Sequence, residues 1–298
     1  MTPRQDIEFD SGGDTLRGWW YGPSGPDAGA VVMAHGLSGV KEQSLDEYAE
    51  AFAAIGVGVL VYDHAGFGAS DGEPRQEVNP PRQIEGYRDA ISHVASLPGV
   101  DPTRIGVWGS SMSGGLAISL AATEPRIRCA VAQVPYLEAT VDPDDPMTAQ
   151  ITAQMTETLS GSGDGPAPMI PVTAPEGGFA LLTADGAQEW AEAHAGRAPA
   201  WRNEITLTSL VHVLGFRPVD SLSHARVPLL IIGFTGDTIT PPDAAREAAD
   251  TSSCIEFVEI PGRHFDAYGG PGFAFTSGEA ARFFRTHLAA EGGPREDD

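Results

Sequence analysis

Residues 104–122, RIGVWGSSMSGGLAISLAA, constrain this chain more than any other stretch. The apolar run Ile105–Trp108 predicts a buried strand, the glycine and serine cluster a sharp bend, and the apolar periodicity a helix from about Leu116. A strand, a tight turn and a helix with a serine at the bend form an elbow that lifts the serine oxygen clear of a sheet. Such a turn is strained, so the residues two before and two after the serine must be small. Ser111 fits, between Gly109 and Ser113, and Ser113 also fits on spacing, between Ser111 and Gly115. Ser110 fails because Trp108 would fill a small position. The apolar strand ends at Gly109, which favours Ser111. Ser113 stands where a second glycine is usual, a departure that bears on how closely the helix can approach the strand.

Around this elbow the chain alternates strands and helices. A hairpin is expected over residues 5–10 and 14–21, then strands Ala30–Ala34, Val57–Tyr62, Ile127–Val134, Val227–Phe234 and Ile255–Ile260. Helices are expected over Gln43–Ile55, Pro80–Leu97 and Pro242–Asp250, with a last one from about Ser277. This alternation predicts an α/β fold, a mostly parallel central sheet flanked by helices. Between Val134 and Val227 it breaks down into Pro- and Gly-rich sequence with helical patches near Met147 and Gln188. Residues 1–136 and 226–298 are therefore assigned to the core and 137–225 to an inserted cap.

A serine hydroxyl needs a base within hydrogen-bond reach, and the base needs an orienting acid. In elbows of this kind the partners follow as serine, acid, histidine. Asp237 lies in GFTGDTITPP after one predicted strand and His264 in PGRHFDAYGG after the next, both at strand ends where parallel sheets place their sites. Asp237 could instead cap the following helix, and Glu138 and Asp142 are the alternative acids. Of the other histidines, His93 and His287 fall in helical patterns, the latter expected to be exposed. His194, His212 and His224 fall in the cap or at its edge, and His64 lies in a glycine-rich loop that precedes the serine. Attack on a carbonyl also requires donors for the oxyanion, usually two backbone N–H groups. Met112, after the serine, and Leu37, in the loop His35-Gly36-Leu37-Ser38 after an early strand, are the candidates.

Composition narrows the partners. A net charge of −23 argues against nucleic acid and anionic membrane surfaces. No run approaches 18 consecutive apolar residues, and the polar start lacks a leader pattern, so a cytoplasmic location is expected. Cys129 and Cys254, in apolar surroundings, read as buried free thiols. The acidic tail after Ala290 is expected to be disordered. No metal or organic cofactor is implied, and the sequence leaves the oligomeric state open.

With these residues assembled, the chain resembles the α/β-hydrolase superfamily, and is similar to dienelactone-hydrolase-like and peptidase S15-like esterases. The resemblance rests on HGLSG, the loop at Asp63, Gly66, Gly68 and Ser70, the elbow GSSMSGG, GDTITPP and RHFDAY, and covers nearly everything outside the cap. The stretch Trp201–Thr206, WRNEIT, is also similar to a subgroup of bacterial and fungal proteins, some linked to polyketide hydrolysis or acyl transfer. The resemblance implies that Ser111 attacks a carboxylic ester or thioester, His264 relays the proton and Asp237 fixes the histidine. It leaves open whether the acyl group passes to water or to another acceptor, as in an acyltransferase or a lactone-forming cyclase. A non-catalytic binding module of the same fold is the third reading. His35, Trp190, Trp201 and Arg202 are candidate substrate contacts, with a salt bridge to Glu204 or another acid the favoured alternative for Arg202. Phe179, Trp190, Trp201, Met147, Met155 and Met169 are candidate walls of an apolar acyl pocket, the favoured alternative for any one of them being that it packs the cap onto the core. Activity is expected to rise with pH through about 6 to 7, as a histidine base becomes neutral.

Overall fold

The computed structural model describes residues 4–139, 168–184 and 186–289. Asp142, Met147, Met155 and the tail after Ala290 lie outside them. Strands β1 (Gln5–Ser11), β2 (Asp14–Tyr21), β3 (Ala28–Ala34), β4 (Gly58–Tyr62), β5 (Val100–Ser110) and β6 (Ile127–Gln133) come first. A two-stranded ribbon of β7 (Met169–Ile170) and β8 (Ile205–Thr206) follows, then β9 (Leu229–Phe234) and β10 (Ile255–Ile260). The main sheet has eight strands in the order β1-β2-β4-β3-β5-β6-β9-β10. Its antiparallel edge is the hairpin β1–β2 and its pairing to β4. From β4 onward every pairing is parallel.

The sheet is covered on both faces, as parallel strands require. Val32 and Ala34 of β3, Ile105 and Val107 of β5, and Leu229 and Ile231 of β9 point to one side. There they meet the helices Pro80–Ala95 and Met112–Thr123. Their alternates Val31, Met33, Trp108, Leu230 and Ile232 meet the helices Leu45–Ala53 and Gly270–Leu288 on the other. The near-continuous apolar runs in the sequence are this two-sided burial. Among the described residues no helix is long and apolar enough to cross a membrane.

Two helices begin earlier than the apolar periodicity predicts. The elbow helix starts at Met112, not near Leu116, because Ser113-Gly114-Gly115 are poor helix formers that tertiary packing nevertheless holds helical. The last helix starts at Gly270 rather than Ser277, with a proline in its first turn. A Cβ at Gly272 would lie 2.0 Å from the Asp266 carbonyl oxygen, so only glycine lets this helix abut the turn that carries His264. Of the two free cysteines, Cys129 is buried and Cys254 half-buried. His287 is half-buried against Phe283 rather than exposed, their ring centroids 4.4 Å apart.

After β6 the chain leaves the sheet and rejoins it at β9, the adjacent strand. Within that excursion Ile170, Val172, Ile205, Leu207 and Leu210 pack on Phe67, Val78 and Met112. The helix Ala187–His194 is tied to the helix Leu45–Ala53 from outside. His194 Nε2 lies 2.7 Å from the Ser44 hydroxyl, and Arg197 pairs with Asp46 and Glu47.

Candidate active site

The elbow turns within one residue. β5 ends at Ser110, Ser111 adopts φ 56° and ψ −119°, and the helix begins at Met112. A non-glycine residue with such a φ stores strain of about 1–3 kcal/mol and persists where its surroundings over-determine it. Here Ser111 N–H donates to the Gln133 carbonyl at 2.9 Å, and its own carbonyl accepts from Tyr136 N–H at 2.9 Å. The small residue before the bend is obligatory, since a Cβ on Gly109 would lie 1.9 Å from the Ser113 carbonyl oxygen.

His264 meets this serine. Its Nε2 lies 3.1 Å from Ser111 Oγ and its Nδ1 2.7 Å from Asp237 Oδ2. The histidine begins the 3₁₀ turn His264–Tyr268 after β10, and the aspartate follows β9, both at the carboxyl edge of the sheet. Asp237 Oδ1 accepts N–H bonds from Ile239 and Thr240, while the Thr240 hydroxyl donates to Oδ2 at 2.8 Å. Burial would raise this carboxyl, but the His264 bond and charge and the Thr240 bonds outweigh it and hold it below the usual carboxylate range. Ser113 does not reach His264. It is buried in the helix, 2.5 Å from the His35 carbonyl oxygen and 3.0 Å from His64 Nε2. Glu138 is half-exposed and bonded to Arg217.

Opposite the histidine stands the loop His35–Ser38. A Cβ on Gly36 would lie 3.1 Å from Ser111 Cβ, so the loop rests directly against the serine. Leu37 lines the same pocket as Ser111 and His264. Met112 opens its helix, and the first N–H groups of a helix have no intrahelical acceptor.

The pocket above Ser111 is walled by Leu37, Val40, Val172, Trp190, Trp201 and Phe265 among others. Trp190 packs on Phe265 and Tyr268, ring centroids 5.3 and 5.5 Å apart, and so continues the wall that His264 begins. Of the four expected substrate contacts, His35, Trp190 and Trp201 line this pocket, but both ring nitrogens of His35 are already bonded within the protein. Arg202 does not line it. Its side chain is 63% exposed and lies 3.9 Å from Glu204. Phe179 packs instead beneath the β7–β8 ribbon and Met169 is 40% exposed.

Sequence reasoning missed Thr240 and Tyr268. Thr240 sits within GDTITPP, and Tyr268 closes RHFDAY, where its hydroxyl lies 2.6 Å from Ser110 Oγ. Both stand in motifs already singled out, so their spacing from Asp237 and His264 was the available signal.

The profile of the serine aminopeptidase S33 hydrolase family matches residues 25–262. A thiohydrolase of Eupenicillium brefeldianum is 32% identical over 251 residues, 82% of this chain and 80% of the relative. The polyketide transferase af380 of Aspergillus fumigatus is 30% identical over 297 residues, 96% of this chain and 99% of the relative. Among solved structures, DcsB in complex with its substrate analogue is similar at a TM-score of 0.83 and 27% identity, covering 97% of this chain and all of that one (100%). The match is to S33; the narrower likeness to dienelactone-hydrolase-like and S15-like esterases is not supported by it.

Proposed function

The chain belongs to the serine aminopeptidase S33 family of α/β hydrolases, and on that premise we propose that it cleaves a carboxylic ester or thioester through an acyl-enzyme on Ser111. The observation that carries the reading is the run of two contacts from Ser111 Oγ to His264 Nε2 and from His264 Nδ1 to Asp237 Oδ2. As Ser111 Oγ attacks the carbonyl carbon, its proton passes to His264 Nε2. Asp237 keeps the proton of His264 on Nδ1 and stabilises the imidazolium that forms. The tetrahedral oxyanion takes hydrogen bonds from the N–H groups of Met112 and Leu37. Collapse then breaks the bond to the alcohol or thiol, which leaves with the proton from Nε2. Water attacks the acyl-enzyme by the same steps in reverse roles.

In this reading residues 137–225 form a cap over a core of 1–136 and 226–298. Trp190 and Trp201 wall the acyl group, His35 offers it only ring carbons because both its nitrogens are bonded within the protein, and Arg202 stands outside the pocket. Fluorophosphonate should label Ser111, and Ser111→Ala should lose turnover of short aryl esters by about 10⁴-fold or more. Full activity in that variant sinks the proposal. The similarity to a polyketide transferase favours a second reading, in which the acyl group passes to an alcohol, amine or thiol. Product analysis with such acceptors present separates the two, since hydrolysis alone counts against transfer.

A further inference from the structure

Ser113 occupies the position two after the elbow serine, where the motif usually carries glycine. It is buried and its hydroxyl is fully engaged. Its polar neighbours are the His35 carbonyl, His64 and the Tyr87 hydroxyl, which itself donates to the Trp108 carbonyl. A carbonyl only accepts, so Ser113 Oγ–H donates to the His35 oxygen at 2.5 Å. With that proton committed, the 3.0 Å contact to His64 makes Nε2–H the donor to Ser113 Oγ. His64 N–H donates to His35 Nε2 at 3.1 Å, which leaves the His35 proton on Nδ1 to donate to the Gly36 carbonyl at 2.9 Å. Burial lowers both imidazoles and so favours their neutral forms, which the acceptor role of His35 Nε2 requires.

These bonds converge on the two carbonyls that precede Leu37. The Gly36–Leu37 peptide is trans, the one cis bond among the described residues being Glu73–Pro74. In a trans peptide the C=O and N–H point in opposite directions. Fixing the Gly36 oxygen, which also accepts from Gly39 N–H at 3.3 Å, therefore fixes the direction of Leu37 N–H.

We propose that Ser113 is a positioning residue: by donating to the His35 carbonyl, its hydroxyl holds the loop that presents Leu37 N–H to an oxyanion on Ser111. The proposal rests on the acyl-enzyme reading above, so labelling of Ser111 by fluorophosphonate is established first; without it the reading itself fails. In Ser113→Ala and Ser113→Gly, kcat on a short aryl ester should fall about 10- to 100-fold, less than the 10²–10³ lost with an oxyanion donor itself. KM should stay within about twofold, since the lost interaction acts in the transition state. Affinity for an aryl trifluoromethyl ketone, which adds to Ser111 as a tetrahedral adduct, should fall by the same factor as kcat/KM. Ser113→Gly carries the test if alanine disturbs the fold, because glycine is what such elbows ordinarily hold. Unchanged kcat and ketone affinity in a folded variant overturns the proposal, as does a rise in KM alone. Loss of the folding transition in both variants assigns the hydroxyl to folding and overturns it equally.

Discussion

The hydroxyl of Thr240 lies 3.0 Å from His264 Nδ1 and 2.8 Å from the same Asp237 oxygen that holds the imidazole. The Val134 carbonyl, 3.0 Å away, is a second acceptor for the hydroxyl's one proton, so the hydroxyl sits between the aspartate loop and the end of the strand beside the elbow. Thr240→Val keeps the shape and removes the one side-chain hydroxyl that bonds Asp237 among the described residues. A hydrogen bond to a charged group contributes about 1.5–3 kcal/mol, so kcat should fall at least about tenfold. Steady-state kinetics on an aryl ester, with unchanged thermal unfolding as control, is the check. A kcat equal to the parent's assigns Thr240 no part in orienting the pair.

Asp237 and Glu138 can be separated directly. Asp237→Asn leaves the size but reverses the hydrogen-bonding preference at Oδ2, so His264 would carry its proton on the wrong nitrogen. By analogy with serine proteases, the loss in kcat is on the order of 10⁴-fold. Glu138, bonded to Arg217 on the surface, should tolerate Glu138→Gln with kcat unchanged. The reverse pattern would move the acid to the earlier strand.

The elbow, the two strand-end partners and the sheet were legible in the sequence because each follows from a local rule. Small residues must flank a strained serine, and buried parallel strands must be apolar throughout. The helix start was not, because Gly114 and Gly115 look like loop and are explained only by what they touch. A Cβ on Gly115 would lie 2.5 Å from the Tyr136 carbonyl oxygen. His35 shows the same limit. Its loop after an early strand suggested a substrate contact, and it does line the pocket, but its ring nitrogens are bonded to Gly36 and to His64, 29 residues away, which the sequence does not show. Arg202 lies one residue from a pocket tryptophan, and adjacency in sequence did not carry it into the pocket.

Gly109→Ala should prevent folding. The added methyl would fall 1.9 Å from the Ser113 backbone oxygen, and neither the strand nor the helix start can retreat without breaking the elbow. A cost above about 4 kcal/mol is expected, in the range reserved for forced overlap with backbone. Soluble yield and the thermal transition are the measurements, and a variant as stable as the parent contradicts the packing described.

Trp190 should set acyl selectivity. Its indole spans Phe265 and Tyr268 and walls the pocket beside His264, while its helix is held by the His194–Ser44 and Arg197–Asp46 contacts. Trp190→Ala removes apolar wall that a long acyl chain would cover and an acetyl group would not. At about 25 cal/mol per Å² of apolar contact, kcat/KM for a hexanoyl ester should drop at least about tenfold relative to an acetyl ester. Arg202→Ala, exposed and outside the pocket, should leave both unchanged. Equal losses on the two esters would show that Trp190 holds the cap rather than the chain.

Stability should decline on acidification in two stages. Burial holds His35 below its ordinary value of 6.5 and His64 well below it, so the folded protein keeps both neutral while the unfolded chain takes up protons. Their contribution is complete above about pH 6.5 and is lost as the pH falls below it, because the unfolded state then binds more protons. Asp237 acts lower: its folded value lies under the ordinary 3.8, so its contribution is present above that pH and is lost as the pH falls through the folded value. Urea midpoints measured from pH 8 to about pH 2.5 should therefore fall first below pH 6.5, as the histidine contribution is lost, and again below pH 3.8, as the Asp237 contribution is lost. A midpoint constant between pH 7.5 and 5 would mean that the buried histidines take up protons in the folded protein as readily as in the unfolded chain.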